Sequence, residues 1–204
     1  MKEFPSKNGL VIVAALLKNL FVPYPTKNVF FEPNKSIESD YQRFRDNPSE
    51  TVKEFIKSGK IQDSKIESIT KYLFEDQKLD RYAKGYLLTI MSQDFHKTYL
   101  NNINFKELSF VEAFRVFFGS MFIPPKQKAI DLIIASFAKK CFQETNIAKS
   151  AEDCYFLTFN TYLLHNARYY SDTTHEISFD TFTQNFHNYE SNFSHDILRE
   201  IFDG

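Results

Sequence analysis

The sequence predicts an all-α domain built from about ten short helices. From Ser36 onward, apolar residues recur three and four positions apart, which is the spacing of a helix with one buried face. Short polar joints carrying capping residues, prolines or glycines separate these stretches. No run of alternating β-branched residues indicates a strand. Only 5 of the 204 residues are glycine and 7 are proline, which favours regular helices over many turns.

Composition restricts the classes of function. A chain of 204 residues is long enough for one domain with a sizeable core, and its 23 phenylalanines predict that this core is aromatic. The net charge of −1 provides no overall attraction to nucleic acid or to an anionic membrane. No apolar run reaches the roughly 18 residues that a bilayer-spanning helix needs.

No motif for a metal or a cofactor is present, so we expect the protein to use neither. Cys154 and His165 would share one helix about 16 Å apart, which is too far for a common metal ion. Cys141 and Cys154 both fall in apolar helical patterns, which predicts buried free thiols and a reducing compartment. A disulfide between them is the less favoured alternative.

Residues 1–40 are predicted to form a separate N-terminal unit, and residues 41–204 the main domain. A helix at Asn8–Phe21 ends before Pro23 and Pro25, and an irregular segment follows. The apolar run Leu10–Leu17 follows two lysines and is also compatible with a signal sequence, but a cleavage site is missing. We therefore favour a packing helix.

The first part of the main domain is predicted to contain five helices. Proline suits the first position of a helix, so Pro48 opens a helix that Gly59 closes. Ser64 and Glu67 are spaced as a capping box and predict the start of the next helix. The predicted helices are Ser36–Arg45, Pro48–Ser58, one opening at Ser64, Asp80–Met91 and Phe95–Asn101.

The second part is predicted to be organised around a stiff proline loop. Pro124 and Pro125 cannot continue a helix, so two apolar helices must be joined there by an exposed loop carrying Lys126, Gln127 and Lys128. Ser109 with Glu112 forms a second capping box, and Ser150 caps a later helix in a similar way. The predicted helices are Ser109–Met121, Leu132–Cys141, Glu152–Leu164, Phe179–Phe186 and Ser194–Phe202.

Two stretches of this second part carry a family resemblance. Met121–Asp131 reads M-F-I-P-P-K-Q-K-A-I-D, and Glu152–Tyr170 reads E-D-C-Y-F-L-T-F-N-T-Y-L-L-H-N-A-R-Y-Y. They resemble the Sec7 domain motifs F-R-L-P-G-E-A-Q-K-I-D and D-x-C-Y-V-L-x-F/Y-x-I-I-M-L-N-T-x-L-H-N. Three further matches lie upstream in the family's order: Phe44–Pro48, Leu79–Arg81 with Gly85, and Ala113–Phe117. The resemblance covers roughly Tyr41–Phe202.

The resemblance implies a fold and a partner. Sec7 domains are guanine nucleotide exchange modules for Arf-family small GTPases. Their helices form a right-handed stack in two lobes, and an apolar groove between the lobes receives the switch regions of the GTPase. The implied GTPase-binding residues are Phe122, Pro124, Ile130, Asp131, Phe159, Leu163, Leu164 and Tyr170. Without the resemblance, an apolar stripe at this spacing is more often core than interface.

Lys126 occupies the position of the family's catalytic glutamate. The resemblance implies that this glutamate repels the β-phosphate, competes for the P-loop lysine and disfavours Mg²⁺. A lysine reverses the charge and opposes the first two effects. Two hypotheses follow: the module has lost exchange chemistry, or a shifted loop lets another acid such as Asp131 act. His165 and Tyr170 replace family asparagines that order the GTPase, which affects the choice or affinity of the GTPase.

We therefore expect a guanine nucleotide exchange factor for an Arf-family GTPase with a divergent catalytic loop. The alternative is a catalytically inert Sec7-like module that binds or sequesters such a GTPase or acts as a scaffold. An unrelated helical interaction protein is a third candidate. The family implies a cytoplasmic protein in vesicle traffic that reaches Golgi or endosomal membranes only through partners. Nothing in the sequence suggests a metabolic enzyme.

Overall fold

The structure is a computed structural model that describes residues 38–124, 126–170, 177–187 and 193–204. The N-terminal unit predicted for residues 1–40, with its helix at Asn8–Phe21, falls almost entirely outside these ranges and stays a prediction.

Within these ranges the chain forms ten α-helices, one 3₁₀ turn and no strand, which confirms the predicted all-α class. The helices are α1 (Glu38–Asp46), α2 (Pro48–Lys57), α3 (Ile66–Glu75), α4 (Arg81–Ile90), α5 (Gln93–Leu100), α6 (Phe110–Ser120), α7 (Gln127–Glu144), α8 (Ala151–Tyr170), α9 (Phe179–His187) and α10 (His195–Asp203). The 3₁₀ turn, Phe105–Glu107, lies between α5 and α6.

Helix α2 begins and ends as the sequence predicts. The Asn47 side chain accepts a hydrogen bond from the Glu50 N–H at 3.4 Å, and Pro48 takes the first position, where an N–H would lack a helical partner. After the last turn, Gly59 has φ +76°, a conformation that side chains with a Cβ rarely adopt. The Gly59 N–H donates to the Ile56 carbonyl at 3.1 Å and so closes the helix.

The capping box predicted for α6 is confirmed. The Ser109 hydroxyl accepts from the Glu112 N–H at 3.3 Å, and the Glu112 carboxylate accepts from the Ser109 N–H at 2.8 Å. Ser150 caps α8 by accepting from the Asp153 N–H at 3.0 Å. Two of the three predicted serine caps therefore hold free N–H groups at helix starts.

The capping box predicted at Ser64 is wrong. Helix α3 begins at Ile66, and the residue before it, Lys65, makes no side-chain cap. The Asp63 carboxylate instead accepts from the Lys65 N–H at 3.0 Å, which is a local turn that competes with helix. The helix therefore starts one residue later than a cap at Ser64 would place it.

Two predicted helices are longer than the sequence indicated. Helix α7 starts at Gln127, directly after the proline loop, and runs to Glu144. Helix α8 continues to Tyr170, past the end of its apolar pattern. Its last turn is supported by α10, because the Arg168 guanidinium lies 4.2 Å from the centre of the Phe202 ring.

Phe137 on α7 lies at the centre of the core and is fully buried. Its ring contacts aromatic rings of the 3₁₀ turn and α6 with centroid separations of 5.0–6.1 Å: Phe105, Phe110, Phe114, Phe117 and Phe118. Cys141 on α7 and Cys154 on α8 are buried free thiols, as predicted. The predicted aromatic core is confirmed, and it is built around one face of α7.

The helices pack in two groups that meet at α7 and α8. In the first group α1 packs on α2 and α4, α3 packs on α5, and both α4 and α5 pack on α7. In the second group α10 packs on α6, α8 and α9. Helices α7 and α8 lie side by side and share the most extensive helix pairing within the described residues. The proline loop between α6 and α7 lies against α4.

Candidate functional site

Helix α4 holds the segment that leads into the proline loop. The Phe122 N–H donates to the Arg81 carbonyl at 2.8 Å. The Arg81 guanidinium reaches back and donates to the carbonyls of Phe118 at 3.2 Å and Met121 at 3.4 Å. One residue of α4 therefore satisfies backbone groups at the end of α6 and at the start of the loop.

Gly85 lets the loop approach α4 at backbone distance. A Cβ at this position would lie 1.7 Å from the carbonyl oxygen of Phe122 and 2.7 Å from the carbonyl carbon of the same residue. One turn earlier on the helix, the Tyr82 ring stacks on the Phe122 ring with centroids 6.0 Å apart. The sequence matched Arg81 and Gly85 to the family without a role for either. A glycine inside a helix was the available signal, because it destabilises a helix unless packing requires it.

Lys126 is exposed at the start of α7. Its N–H donates to the Pro124 carbonyl at 2.7 Å, and its own carbonyl accepts from the N–H groups of Ala129 and Ile130 at 2.9 and 3.0 Å. Within the described residues its ammonium forms no ion pair. Lys128, also exposed, lies in the first turn of α7. The loop and this turn therefore present two cations and no carboxylate to solvent.

Asp131, the first acid after the loop, is held between two helices. Its carboxylate accepts from the Gln127 side-chain amide at 2.8 Å and from the Tyr155 hydroxyl at 3.1 Å. Burial raises the pKa of Tyr155, and the nearby Asp131 carboxylate raises it further. The half-buried Asp131 thus has two partners on α7 and α8 in this structure.

The predicted apolar wall is mostly buried in the chain itself. Relative exposures are 5% for Ile130, 5% for Phe159, 8% for Leu163 and 4% for Leu164. The Phe159 ring stacks on Tyr155 with centroids 6.1 Å apart and an angle of 8° between the rings. Phe122 is half-buried and Pro124 is buried, and the side chain of Tyr170 lies outside what the structure describes. Their role in binding a GTPase stays a prediction.

One exposed apolar stripe near the loop was not predicted. Tyr82, Tyr86 and Ile90 follow each other at intervals of four on α4 and are 42%, 40% and 51% exposed. The large apolar side chains that α4 buries, Leu87 and Leu88, lie on another face of the helix. The i, i+4, i+8 spacing of the three residues was the signal for a second face.

Comparison with known proteins identifies the family. The family model described as Sec7 domain matches residues 33–204. The chain is 26% identical over 151 residues to the ADP-ribosylation factor guanine nucleotide-exchange factor SEC7 of Saccharomyces cerevisiae, an alignment covering 70% of this chain and 7% of the yeast protein. The chain belongs to the Sec7 domain family, and it spans only a small part of that relative's length.

Two solved structures are similar to the fold. The Sec7p catalytic domain superposes with a TM-score of 0.72 at 22% identity, covering 86% of this chain and 96% of that one. The Sec7 domain bound to ARF1-GDP with Brefeldin A gives 0.70 at 19% identity, covering 83% and 93%. These likenesses confirm the predicted Sec7 arrangement of the helices.

The described residues form neither a cluster that could hold a metal ion nor a membrane-spanning helix. No group of three or more His, Cys, Asp or Glu side chains lies close enough there to hold a metal ion. None of the described helices is long and apolar enough to cross a membrane.

Proposed function

We propose that this chain is a guanine nucleotide exchange factor for an Arf-family small GTPase, with a divergent catalytic loop. Family membership supports the proposal, because the yeast relative is named an ADP-ribosylation factor guanine nucleotide-exchange factor. A similar solved structure is described as a Sec7 domain bound to ARF1-GDP. The expected contact residues are Phe122, Pro124, Ile130, Asp131, Phe159, Leu163, Leu164 and Tyr170, with Lys126 at the catalytic position.

The observation that carries the proposal is the way α4 positions the loop. The contacts of Arg81, Tyr82 and Gly85 hold the backbone from Met121 to Ile123 against the helix. Lys126 follows three residues later and is exposed. A side chain on so short and well-anchored a loop can enter a nucleotide site without a large entropic cost.

Lys126 makes the exchange chemistry divergent. Nucleotide release from a small GTPase requires weaker contacts between the phosphates, Mg²⁺ and the P-loop lysine. A carboxylate inserted there would repel phosphate, whereas an ammonium attracts it. One contact between unit charges at 4 Å is worth on the order of 4 kcal/mol at an effective dielectric of about 20, so reversing the sign of one charge changes it by about 8 kcal/mol. We therefore expect exchange to be slower than a glutamate at this position would allow.

Lys126 also favours a second candidate function, an inert Sec7-like module that binds or sequesters the GTPase. Asp131 is the nearest substitute acid along α7, and its carboxylate is engaged by Gln127 and Tyr155. Bringing Asp131 into a nucleotide site would break two hydrogen bonds, each with a net contribution of about 1 kcal/mol or somewhat more. This cost makes rescue of exchange by Asp131 less favourable than its position in the sequence suggests.

The decisive experiment measures release of a fluorescent GDP analogue from a panel of Arf-family GTPases. The wild-type chain is compared with Lys126→Glu, which restores the family's charge, and with Lys128→Glu. Lys128→Glu is the matched control, since it makes the same charge change at an exposed position in the first turn of α7. We expect the wild type to accelerate release, Lys126→Glu to accelerate it at least tenfold more, and Lys128→Glu to match the wild type.

Other outcomes separate the candidates. A silent wild type with an active Lys126→Glu variant would identify the inert binding module. Silence of both variants, together with no binding to nucleotide-free GTPase, would contradict both candidates. If the wild type is active, Asp131→Asn tests the substitute acid, because asparagine keeps the size and the hydrogen bond from Tyr155 but loses the charge. Unchanged activity in that variant would exclude Asp131.

The cellular setting we propose follows from the same function. An Arf exchange factor would act in the cytoplasm during vesicle traffic and would meet Golgi or endosomal membranes through its partners. The net charge of −1 supports neither nucleic-acid binding nor direct attraction of the whole chain to an anionic membrane.

A further inference from the structure

A cavity lies between α4, α6, α8 and α10. Its volume is about 520 Å³, which is ample for a phosphate group with part of an attached molecule. Much of its wall is apolar and comes from three helices: Val111, Phe114, Phe118, Leu164 and Ile201. This region is outside the proline loop.

The polar part of the wall is strongly cationic. Arg81, Arg115 and Arg168 line it together with His165, and among the described residues no aspartate or glutamate does; the one anionic group of the lining is the terminal carboxylate of Gly204. Across the described part of the chain, none of the three arginines forms an ion pair with a carboxylate side chain. A chain with net charge −1 thus collects four basic side chains around one cavity.

The hydrogen bonds of these arginines leave donors available. Arg81 donates to the two carbonyls at the end of α6, Arg115 to the Gly204 carbonyl, and Arg168 to the Phe202 carbonyl. A guanidinium has five N–H donors, and the neutral carbonyls that Arg81 and Arg168 meet do not compensate their charge. The oxygen that Arg115 meets belongs to Gly204, the last residue of the chain as tested, whose terminal carboxylate does compensate part of the charge. Phosphate oxygens accept two parallel bonds from a guanidinium, so Arg81 and Arg168, with the remaining donors of Arg115, suit an anion with several oxygens.

The pKa of the His165 imidazole responds to both its burial and the nearby positive charge. Burial lowers its pKa, and the Arg81 guanidinium lowers it further. Its ring packs edge-on against Phe114 with centroids 6.2 Å apart, at the border between the cationic and apolar walls. An anion bound beside Arg81 would offset the repulsion and raise the pKa of His165. The charged groups that line the cavity with His165 are Arg81, Arg115, Arg168 and the terminal carboxylate of Gly204.

We propose that this cavity binds the phosphate group of an amphipathic molecule, with the arginines on the phosphate and the apolar wall on its chains. The shared chemistry is a phosphate ester, whether it comes from a membrane phospholipid or from a soluble metabolite. We expect the ligand to carry apolar chains because Val, Phe, Leu and Ile side chains form much of the wall. Each methylene group of the ligand buried against them strengthens binding about fourfold. The proposal does not depend on exchange activity.

The test titrates the full chain with monomeric dihexanoyl phosphatidic acid and follows the His165 imidazole by NMR. Glycerol 3-phosphate serves as the head group without chains, and dihexanoyl phosphatidylcholine has the same chains under a zwitterionic head. We expect phosphatidic acid to shift the His165 resonances, to raise the pKa of His165, and to bind at least tenfold more tightly than either comparison compound.

Two variants locate the binding. Arg115→Gln with Arg168→Gln removes two of the three guanidinium groups, and we expect at least tenfold weaker binding. Gly119→Leu adds a bulky side chain to the cavity wall without changing any arginine, because Gly119 lines the cavity and a Cβ there meets nothing within 4 Å. The charge-matched control is Lys97→Gln with Lys139→Gln, two exposed lysines on α5 and α7 that do not line the cavity.

Several results would overturn the proposal. Unmoved His165 resonances at saturating phosphatidic acid would exclude this cavity, as would full affinity in Gly119→Leu. Equal binding of phosphatidylcholine would exclude recognition of the phosphate charge. Equal binding of glycerol 3-phosphate would exclude the amphipathic ligand. Gly119→Leu and the wild-type NMR titration decide the matter even if loss of Arg115 and Arg168 loosens α10.

Discussion

Single residues of α4 determine where the proline loop lies. Arg81 supplies one acceptor and two hydrogen bonds from its guanidinium, and Gly85 supplies the space for the loop backbone. Neither residue touches the exposed end of the loop at Lys126. The position of the proposed catalytic side chain is therefore set by residues about 40 positions earlier in the chain.

Gly85→Ala should displace the loop. The added Cβ would lie 1.7 Å from the Phe122 oxygen, so either α4 or the loop must move. We expect the free energy of unfolding in urea to fall by about 1–3 kcal/mol, as overpacking usually does. Gly119→Ala is the control: its Cβ meets nothing within 4 Å, so helix propensity alone should raise stability by about 0.5–1 kcal/mol. Equal effects at both glycines would contradict this role for Gly85.

Lys84 is an unusual core residue on the same helix. It is 2% exposed, and its ammonium donates to the Asp76 carbonyl at 2.7 Å. Burial lowers the pKa of Lys84 from the usual 10.5 to about 8, against a smaller upward effect of Asp76. Between these two values the unfolded chain binds more protons than the folded one. Stability should therefore rise with pH from about 8 toward 10.5, and below pH 8 the full cost of the buried charge remains.

Lys84→Met should remove this rise. Urea unfolding between pH 7 and 9.5 gives the slope of the free energy of unfolding against pH. We expect this slope to be smaller in the variant than in the wild type, by up to about 1.4 kcal/mol per pH unit. Thiols and tyrosines titrate in both proteins and cancel in the difference. Lys78→Met, at an exposed position, should keep the wild-type pH profile. A wild-type slope in Lys84→Met would show that Lys84 stays charged throughout or is hydrated.

At the scale of the helices, capping residues decide where each one starts. Ser92, Ser109 and Ser194 each accept a backbone hydrogen bond from the residue three positions later. Ser64 has the same capping-box sequence as Ser109 but does not cap a helix, because the Asp63 carboxylate accepts from the Lys65 N–H there. A capping box in a sequence shows that a helix could start at that position. Neighbouring side chains can nevertheless compete for the same backbone N–H groups.

Ser109→Ala should destabilise the protein by about 1 kcal/mol, because it leaves the Glu112 N–H without its cap. Ser64→Ala changes the same residue type in the same sequence pattern and should have an effect within about 0.5 kcal/mol. Thermal unfolding of both variants under identical conditions provides the comparison. A similar loss of stability in both would mean that Ser64 does cap a helix in solution.

At the scale of the whole molecule, helix α7 joins the two groups of helices. Its buried residues meet the aromatic cluster of α6 on one side and α8 on the other. The same helix carries Lys126 and Asp131 at its start. The candidate site is therefore attached to a helix with extensive buried contacts, which favours a rigid loop.

Phe137→Ala should cost about 3–5 kcal/mol, since it removes the ring on which five other aromatic rings converge. Phe142→Ala lies on the same helix and makes the same chemical change, but Phe142 is 39% exposed. We expect Phe142→Ala to cost about 1 kcal/mol or less. Chemical denaturation should distinguish them clearly; comparable losses would place the centre of the core elsewhere.

The sequence by itself determined the all-α class, the Sec7 family and most helix positions, because helical periodicity, caps and prolines are local properties of the chain. It also predicts that Lys126 occupies the position of the family's catalytic glutamate, a prediction that needs only the order of residues. The buried thiols Cys141 and Cys154 followed from the same apolar patterns.

Only the tertiary structure decided which apolar face is core and which is exposed. The pattern of α4 could not separate buried Leu87 and Leu88 from exposed Tyr82, because both faces contain large side chains. Three features join residues more than 20 positions apart: the hydrogen bond from Tyr155 to Asp131, the close approach of the loop backbone to Gly85, and the cavity lined by three arginines. Such contacts depend on how the helices pack, and packing is a property of the whole chain rather than of any one segment.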